Sequence, residues 1–244
     1  MTSLPVWPRE NAEWARYFDA YATDYERLSF GSAGLAYVGA REVDVIVAEL
    51  RAREPGRVLD AGAGSGRVAR ALARVGWDVT AFDVSSEMLH CVARGVPGTT
   101  TVMGALGKRL PFADASFDAI VSVRVLKYVE ELELAIGEFA RVLRPGGVAA
   151  IEFTNRRSLA RFGYGDAPAH LVTMGEARRL LEDRGLCVVA LHTGTRLPQP
   201  VWRWARDPSR ARIAIGCERA IHAALGGARR VAGARSAVIV GERS

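Results

Sequence analysis

The chain has 244 residues, 49% of them hydrophobic and 25% charged, ordinary values for a soluble globular protein with room for one large domain and a substantial core. No apolar run reaches the roughly 18 residues of a membrane helix, and Met1 to Glu10 has no signal-peptide core, so a cytoplasmic protein with no membrane partner is expected. Net charge is +6, but Thr195 to Ser244 holds ten arginines against three acids, a local +7 that leaves −1 for the first 194 residues. The three cysteines (Cys91, Cys187, Cys217) are scattered and odd in number, which suits a reducing compartment and shows no metal-ligand spacing. Of 33 basic residues only Lys108 and Lys127 are lysine, a bias that reads as a GC-rich genome.

In chain order, Asn11 to Glu26 reads as a helix with one aromatic stripe, Trp14, Phe18, Tyr21 and Tyr25. The stripe either packs on the body or covers a ligand, and one helix can do both. Ser29 to Gly34 reads as a loop. Gly39 to Arg53 reads as a second helix with Val43, Ile46, Val47 and Leu50 on its apolar face, ended by Glu54-Pro55-Gly56.

Val58 and Leu59 then form a short buried strand, followed by Asp60-Ala61-Gly62-Ala63-Gly64-Ser65-Gly66 and a helix from Arg67 to Arg74. Glycines at every second position let a ligand approach the backbone. The helix after them points free N–H groups and a positive dipole end at the turn. The dinucleotide fingerprint, Gly-x-Gly-x-x-Gly, would place its last glycine where Arg67 stands, and a pyrophosphate would be repelled by Asp60. No Gly-Lys-Ser/Thr follows, so this is not a P-loop.

Asp78 to Asp83 is a second strand ending in an acid. A carboxylate there is placed to accept ribose hydroxyls, in any adenosine ligand. Met88 offers a polarisable thioether to an adenine face or to the core. Thr99 to Met103 is a third strand and Phe117 to Val123 a fourth, with Asp118 in a structural place at its start. Glu131 to Leu143 is an amphipathic helix, closed by the turn Arg144-Pro145-Gly146-Gly147 before a buried fifth strand, Val148 to Phe153. Asn155 to Leu171 is a loop with Arg156, Arg157 and His170. Thr173 to Glu176 has capping-box spacing and opens a helix to Asp183. Leu186 to Leu191 is strand six, Ser209 to Leu225 a helix, and Ser236 to Val240 the last strand.

The glycine turn resembles the first motif of the class I S-adenosylmethionine-dependent methyltransferases. The resemblance runs from about Tyr17 to Gly185 and takes in Phe18-Asp19-x-x-Ala22-x-x-Tyr25, the acid Asp83 with Ser85 and Met88, Leu110-Pro111-Phe112, Ser116-Phe117-Asp118, Val125 to Val129, and Arg144-Pro145-Gly146-Gly147. It implies an α/β fold, a three-layer α-β-α sandwich over a seven-stranded mostly parallel sheet whose antiparallel last strand lies between strands five and six. It implies one domain over residues 1–244, with a helical lid at 1–55 and a helical insert at 195–234. It implies S-adenosylmethionine as cofactor, held by Tyr25, Asp60, Ala61, Gly62, Gly64, Asp83, Val84, Met88, Ala105, Leu106 and Val123. The family usually has an Asp at the place of Ala105, so adenine recognition must lean on backbone near Leu106.

The Asn/Asp-Pro-Pro-Tyr/Phe motif of nucleic-acid amino-methyltransferases is absent from strand four, where Ser122-Val123-Arg124 stands, so a nucleic-acid acceptor is not expected. The reading is methyl transfer to an oxygen or nitrogen of a small molecule, in secondary metabolism. Its rivals are a non-catalytic S-adenosylmethionine-binding relative and an NAD(P)-linked oxidoreductase. Methyl transfer from a sulfonium needs positioning more than covalent help, and no catalytic residue is assigned. His170 is a base candidate against the structural role usual for a lone histidine; His90, His192 and His222 are given none. Glu152 lies in the crevice or pairs with an arginine. Tyr128 lines the substrate pocket or wedges the structure, and Trp202 and Trp204 stack a substrate or anchor the insert. The basic tail meets an anionic partner or is a solvated face.

Overall fold

The computed structural model describes residues 10–158, 170–225 and 234–244. Most of the expected loop Asn155 to Leu171, and the end of the 195–234 insert, lie outside the described residues. The elements are α1 (Asn11–Tyr21), a 3₁₀ turn (Ala22–Asp24), α2 (Tyr25–Phe30), α3 (Ala33–Arg51), β1 (Arg57–Ala61), α4 (Arg67–Ala73), β2 (Asp78–Asp83), α5 (Ser86–Gly95), β3 (Thr100–Met103), β4 (Phe117–Ser122), a 3₁₀ turn (Leu126–Tyr128), α6 (Leu132–Val142), β5 (Leu143–Thr154), α7 (Met174–Glu182), β6 (Leu186–Thr193), α8 (Gln199–Trp204), α9 (Pro208–Ala224) and β7 (Ser236–Arg243).

The seven strands form one sheet in the order β3-β2-β1-β4-β5-β7-β6. β7 runs antiparallel to both β5 and β6, and the other pairings are parallel. The near-continuous apolar runs of β1 and β4 follow from burial on both faces. On one face, Ile46 and Leu50 of α3, Val68 and Leu72 of α4 and Leu89 and Val92 of α5 pack on Val58, Val79 and Val121. On the other, Ile136 and Phe139 of α6 and Leu181 of α7 pack on Leu59, Ile120 and Ile151. This is the expected three-layer α-β-α sandwich. The order reverses between β1 and β4, and the crevice outside the carboxyl ends of those strands is where ligands bind in such sheets.

Three local expectations are corrected. The single helix to Glu26 is two helices joined by a 3₁₀ turn and reaches Phe30. The loop expected over Ser29 to Gly34 shrinks to two residues, because Ser32 caps α3 by accepting the Leu35 N–H at 3.4 Å. Gly34 lies inside α3, and a close neighbour explains the glycine: a Cβ there would lie 2.6 Å from the Trp202 carbonyl oxygen. Strand five starts at Leu143, bulges between its pairings with Phe117 and Ala119, and runs on to Thr154. The Thr173–Glu176 capping box forms as its spacing predicts. Asp118 accepts the Arg57 N–H at 2.6 Å and pairs with Arg144, a structural role.

The insert docks on α3 through Trp202, which is fully buried, stacks on Tyr37 at 5.5 Å and donates its indole N–H to the Leu197 carbonyl. Trp204 is 47% exposed and lies under the Arg210 guanidinium. Among the described residues no helix is long and apolar enough to cross a membrane. Trp202→Ala should cost about 3–5 kcal/mol, and Trp204→Ala within about 0.5 kcal/mol. Thermal unfolding of the two variants checks this; equal losses would contradict the anchoring role of Trp202.

Candidate active site

A cavity of about 720 Å³ opens at the carboxyl ends of β1, β2 and β4. That is within the range of sites that enclose a small organic ligand. Its floor is the glycine turn. Gly62, Gly64 and Gly66 all have positive φ, at 82°, 51° and 84°. A Cβ on Gly62 would strike the Val125 side chain at 2.6 Å, whereas one on Gly64 would meet nothing within 4 Å. So Gly62 is needed for packing and conformation, and Gly64 presents bare backbone to the cavity.

Asp83 ends β2 at the edge of this floor. Its Oδ2 accepts the Gly64 N–H at 2.8 Å and its Oδ1 the Ser85 N–H at 3.0 Å. Burial raises its pKa; the Ser85 and Gly64 N–H groups oppose the rise, and Asp19 adds to it. Val84, Met88, Gly104, Ala105, Leu106 and Val123 complete this end of the cavity. Met88 is held by the N-cap of α5, where Ser85 Oγ accepts its N–H at 3.1 Å. A carboxylate beside bare backbone and an apolar slab has the donor and acceptor chemistry that an adenosine moiety requires. There is no acid at Ala105 to meet an adenine amino group.

The wall opposite is aromatic: Trp14, Tyr17, Phe18, Tyr21 and Tyr25 from the N-terminal helices, and Tyr128 from the loop after β4. Tyr128 packs on Trp14 at 4.5 Å and on Phe18 at 6.0 Å, so it both lines the cavity and wedges the helix. The N-terminal helices are pinned to the floor. Asp19 accepts the Ser85 hydroxyl at 2.6 Å and the Glu87 N–H at 3.1 Å. Glu26 accepts the Ser65 hydroxyl at 3.0 Å.

The structure therefore brings Tyr25, Gly62, Gly64, Asp83, Val84, Met88, Ala105, Leu106 and Val123 to one cavity. It does not bring Asp60 or Ala61 there. Asp60 is 1% exposed, and its Oδ2 is turned to the Ala69 N–H of α4 at 3.0 Å; Ala61 is fully buried behind the turn. In place of the cofactor contact that the resemblance implies, Asp60 makes a tie between strand and helix. His170 is exposed and does not line the cavity; its backbone N–H donates to the Lys127 carbonyl at 2.7 Å. Trp202 and Trp204 lie away from it.

Sequence reading missed Arg124, Lys127 and Arg203, which bring the basic side chains to the cavity. Arg124 has φ +65°, its N–H donates to Glu152 at 2.5 Å, and its guanidinium pairs with Glu42 at 3.4 Å. Glu152 is buried beside the cavity without lining it, and it meets Arg124 through that residue's backbone N–H. Burial alone would raise its pKa, but Lys127 and Arg124 outweigh that and hold it low. The one sequence signal for this cluster was its position just past a strand's carboxyl end.

Burial raises the Asp60 pKa to about 7, opposed by the Ala69 N–H and reinforced by Asp83. A raised folded-state pKa means the native protein holds this proton more tightly than the unfolded chain. Its stabilising contribution is full below about pH 4 and is lost as pH rises through about 7. Asp60→Asn keeps an oxygen for Ala69 and should flatten that part of the stability–pH curve in denaturant titrations; an unchanged curve would contradict the assignment.

Residues 59–151 match the family described as "Methyltransferase domain". The chain is 39% identical over 110 residues to a malonyl-[acyl-carrier protein] O-methyltransferase of Enterobacter lignolyticus, covering 45% of this chain and 43% of that protein. It is 34% identical over 157 residues to a demethylmenaquinone methyltransferase of Tropheryma whipplei, covering 63% and 65%. The matches thus span about half the length of such curated relatives. The solved magnesium protoporphyrin IX methyltransferase of Synechocystis, with bound S-adenosylhomocysteine, shares the fold at a TM-score of 0.69 and 18% identity, over 96% of this chain and 99% of that one. Fold, glycine turn and domain match agree: residues 59–151 carry a methyltransferase domain, set in the fold of the class I S-adenosylmethionine-dependent methyltransferases, and the cofactor this implies is S-adenosylmethionine.

Proposed function

We propose that this protein moves the methyl group of S-adenosylmethionine to an oxygen or nitrogen of a small molecule in the cytoplasm, in secondary metabolism. The observation that carries the reading is one cavity with two ends, a floor suited to adenosine and an aromatic wall with cations. Asp83 would accept the ribose hydroxyls. Val84, Met88 and Leu106 would flank the adenine, with backbone near Ala105 and Leu106 reading its edge. Gly62 and Gly64 would receive the amino-acid part, and Tyr25 and Val123 would close over it. Asp60 acts from behind, by fixing the turn against α4, and Ala61 by accepting the Ser122 hydroxyl of β4. The curated relative named as an O-methyltransferase favours oxygen among the acceptor atoms.

S-adenosylmethionine supplies a methyl group already activated by its sulfonium. What remains for the chain is to hold the acceptor in line and keep water out, which positioning alone can largely achieve. Residues 1–55 serve as the lid. Its Trp14, Phe18 and Tyr21 cover the acceptor end, and Asp19 and Glu26 register it on the floor. The 195–234 insert sends exposed Arg203 to the cavity rim.

The test is a panel of small phenols, carboxylic acids and amines incubated with S-adenosylmethionine, followed by release of S-adenosylhomocysteine. Acceptor-dependent release is expected. Asp83→Ala should raise the KM for the cofactor by on the order of 10–100-fold, the loss of about 1.5–3 kcal/mol of hydrogen bonding to a charged group. A cofactor KM unchanged in Asp83→Ala would overturn the ribose assignment.

A further inference from the structure

Lys127 is one of only two lysines in the chain, and it is buried at 6% exposure in the 3₁₀ turn after β4. It lines the large cavity with Arg124, Val125 and Tyr128. Val125 fixes its distance from the floor: a Cβ on Gly62 would strike that side chain, so the segment carrying Lys127 rests directly on the glycine turn. The Lys127 Nζ lies 4.7 Å from the centre of the Tyr128 ring, and that ring packs on Trp14 of the aromatic wall. An N–H of Nζ donates to the Arg124 carbonyl at 2.8 Å, which orients the amine.

We propose that Lys127 is the general base of the transfer, taking the proton from the O–H or N–H of the acceptor as that atom is methylated. The inference rests on the methyl-transfer reading above. In the step, the acceptor's bond to hydrogen breaks and the proton goes to the Nζ lone pair. The acceptor atom forms a bond to the methyl carbon. The carbon–sulfur bond breaks with its electron pair staying on sulfur, so the donor leaves as a neutral thioether. Positive charge leaves sulfur and appears on the lysine nitrogen, which gives its proton to water after product release.

The surroundings make a neutral amine available near physiological pH. Burial disfavours the ammonium most, and Arg124 and Arg235 add to this; Glu152 of β5 and Glu42 of α3 oppose it, leaving a pKa of about 7. Tyr128 and exposed His170 adjoin the same turn, His170 through its backbone N–H. A base whose pKa lies near the working pH is the efficient one. None of the chain's arginines can serve, because guanidinium does not lose its proton in proteins.

With only two lysines, protein labelled with [13Cε]-lysine gives two resonances, assigned through Lys108→Arg. The Lys127 signal should titrate at about pH 7. S-adenosylmethionine should move that midpoint to lower pH than S-adenosylhomocysteine does, because a positive sulfur beside the amine disfavours the ammonium. Lys127→Arg should bind S-adenosylhomocysteine within about twofold of wild type while acceptor methylation falls by on the order of 100-fold. The same Lys127 midpoint with both ligands, or full activity in Lys127→Arg, overturns the base assignment. Failure of the wild-type protein to bind either ligand overturns the methyl-transfer reading instead, and the base falls with it. Should the variant not fold, the titration of the wild-type protein decides alone.

Discussion

The carboxylate of Asp83 holds together the parts on which this site depends. One oxygen receives the N–H of Gly64 in the turn after β1, and the other receives the N–H of Ser85 at the start of α5. A buried carboxylate without such donors would be costly, so the two strand ends and the helix start are locked by a group that also lines the cavity. Ser85 passes the constraint on, since its hydroxyl donates to Asp19 of α1. The glycine turn and α1 are thereby joined through one short chain of hydrogen bonds.

A second network sets the other end. Glu42 of α3 receives both Arg67 of α4 and Arg124 of the β4 loop, at 3.2 and 3.4 Å. Glu152 of β5 receives the Arg124 backbone N–H, which fixes a non-glycine residue in a left-handed conformation. Such strain persists only where the surroundings over-determine it, and it concentrates at functional sites. The same α3 that supplies Glu42 carries the insert, through the close approach of Gly34 to Trp202 and the stacking of Tyr37. The basic insert is therefore coupled to the cation end of the cavity through one helix. Arg206, Arg210, Arg212 and Arg219 themselves are exposed.

The parts legible in the sequence are those set by short-range order. A strand, alternating glycines and a helix form a local unit, so the turn at Gly62 and Gly64 and the acid Asp83 ending strand two are legible from spacing, whereas Met88 as a cofactor contact comes with the family resemblance. Sheet order and the antiparallel last strand came with the family resemblance rather than from any single pattern. Asp60 turns away from the cavity because a buried N–H of α4 claims its carboxylate, a partner that no pattern within the turn announces. Arg124 and Lys127 are not legible as a site because their environment is assembled from α3, the β4 loop, β5 and the residue before β7, segments far apart in the chain. No local period encodes such a meeting. The Ser29 to Gly34 loop was overestimated for a related reason: its glycine serves a tertiary contact with the insert, invisible until both pieces are seen together.

The most direct test of the whole account is calorimetric titration of the purified protein with S-adenosylmethionine, S-adenosylhomocysteine and NAD. The account predicts saturable one-to-one binding of both S-adenosyl ligands and no response to NAD. Binding of NAD with silence from the other two would contradict it, because the floor built by Gly62, Gly64 and Asp83 would then serve a different chemistry.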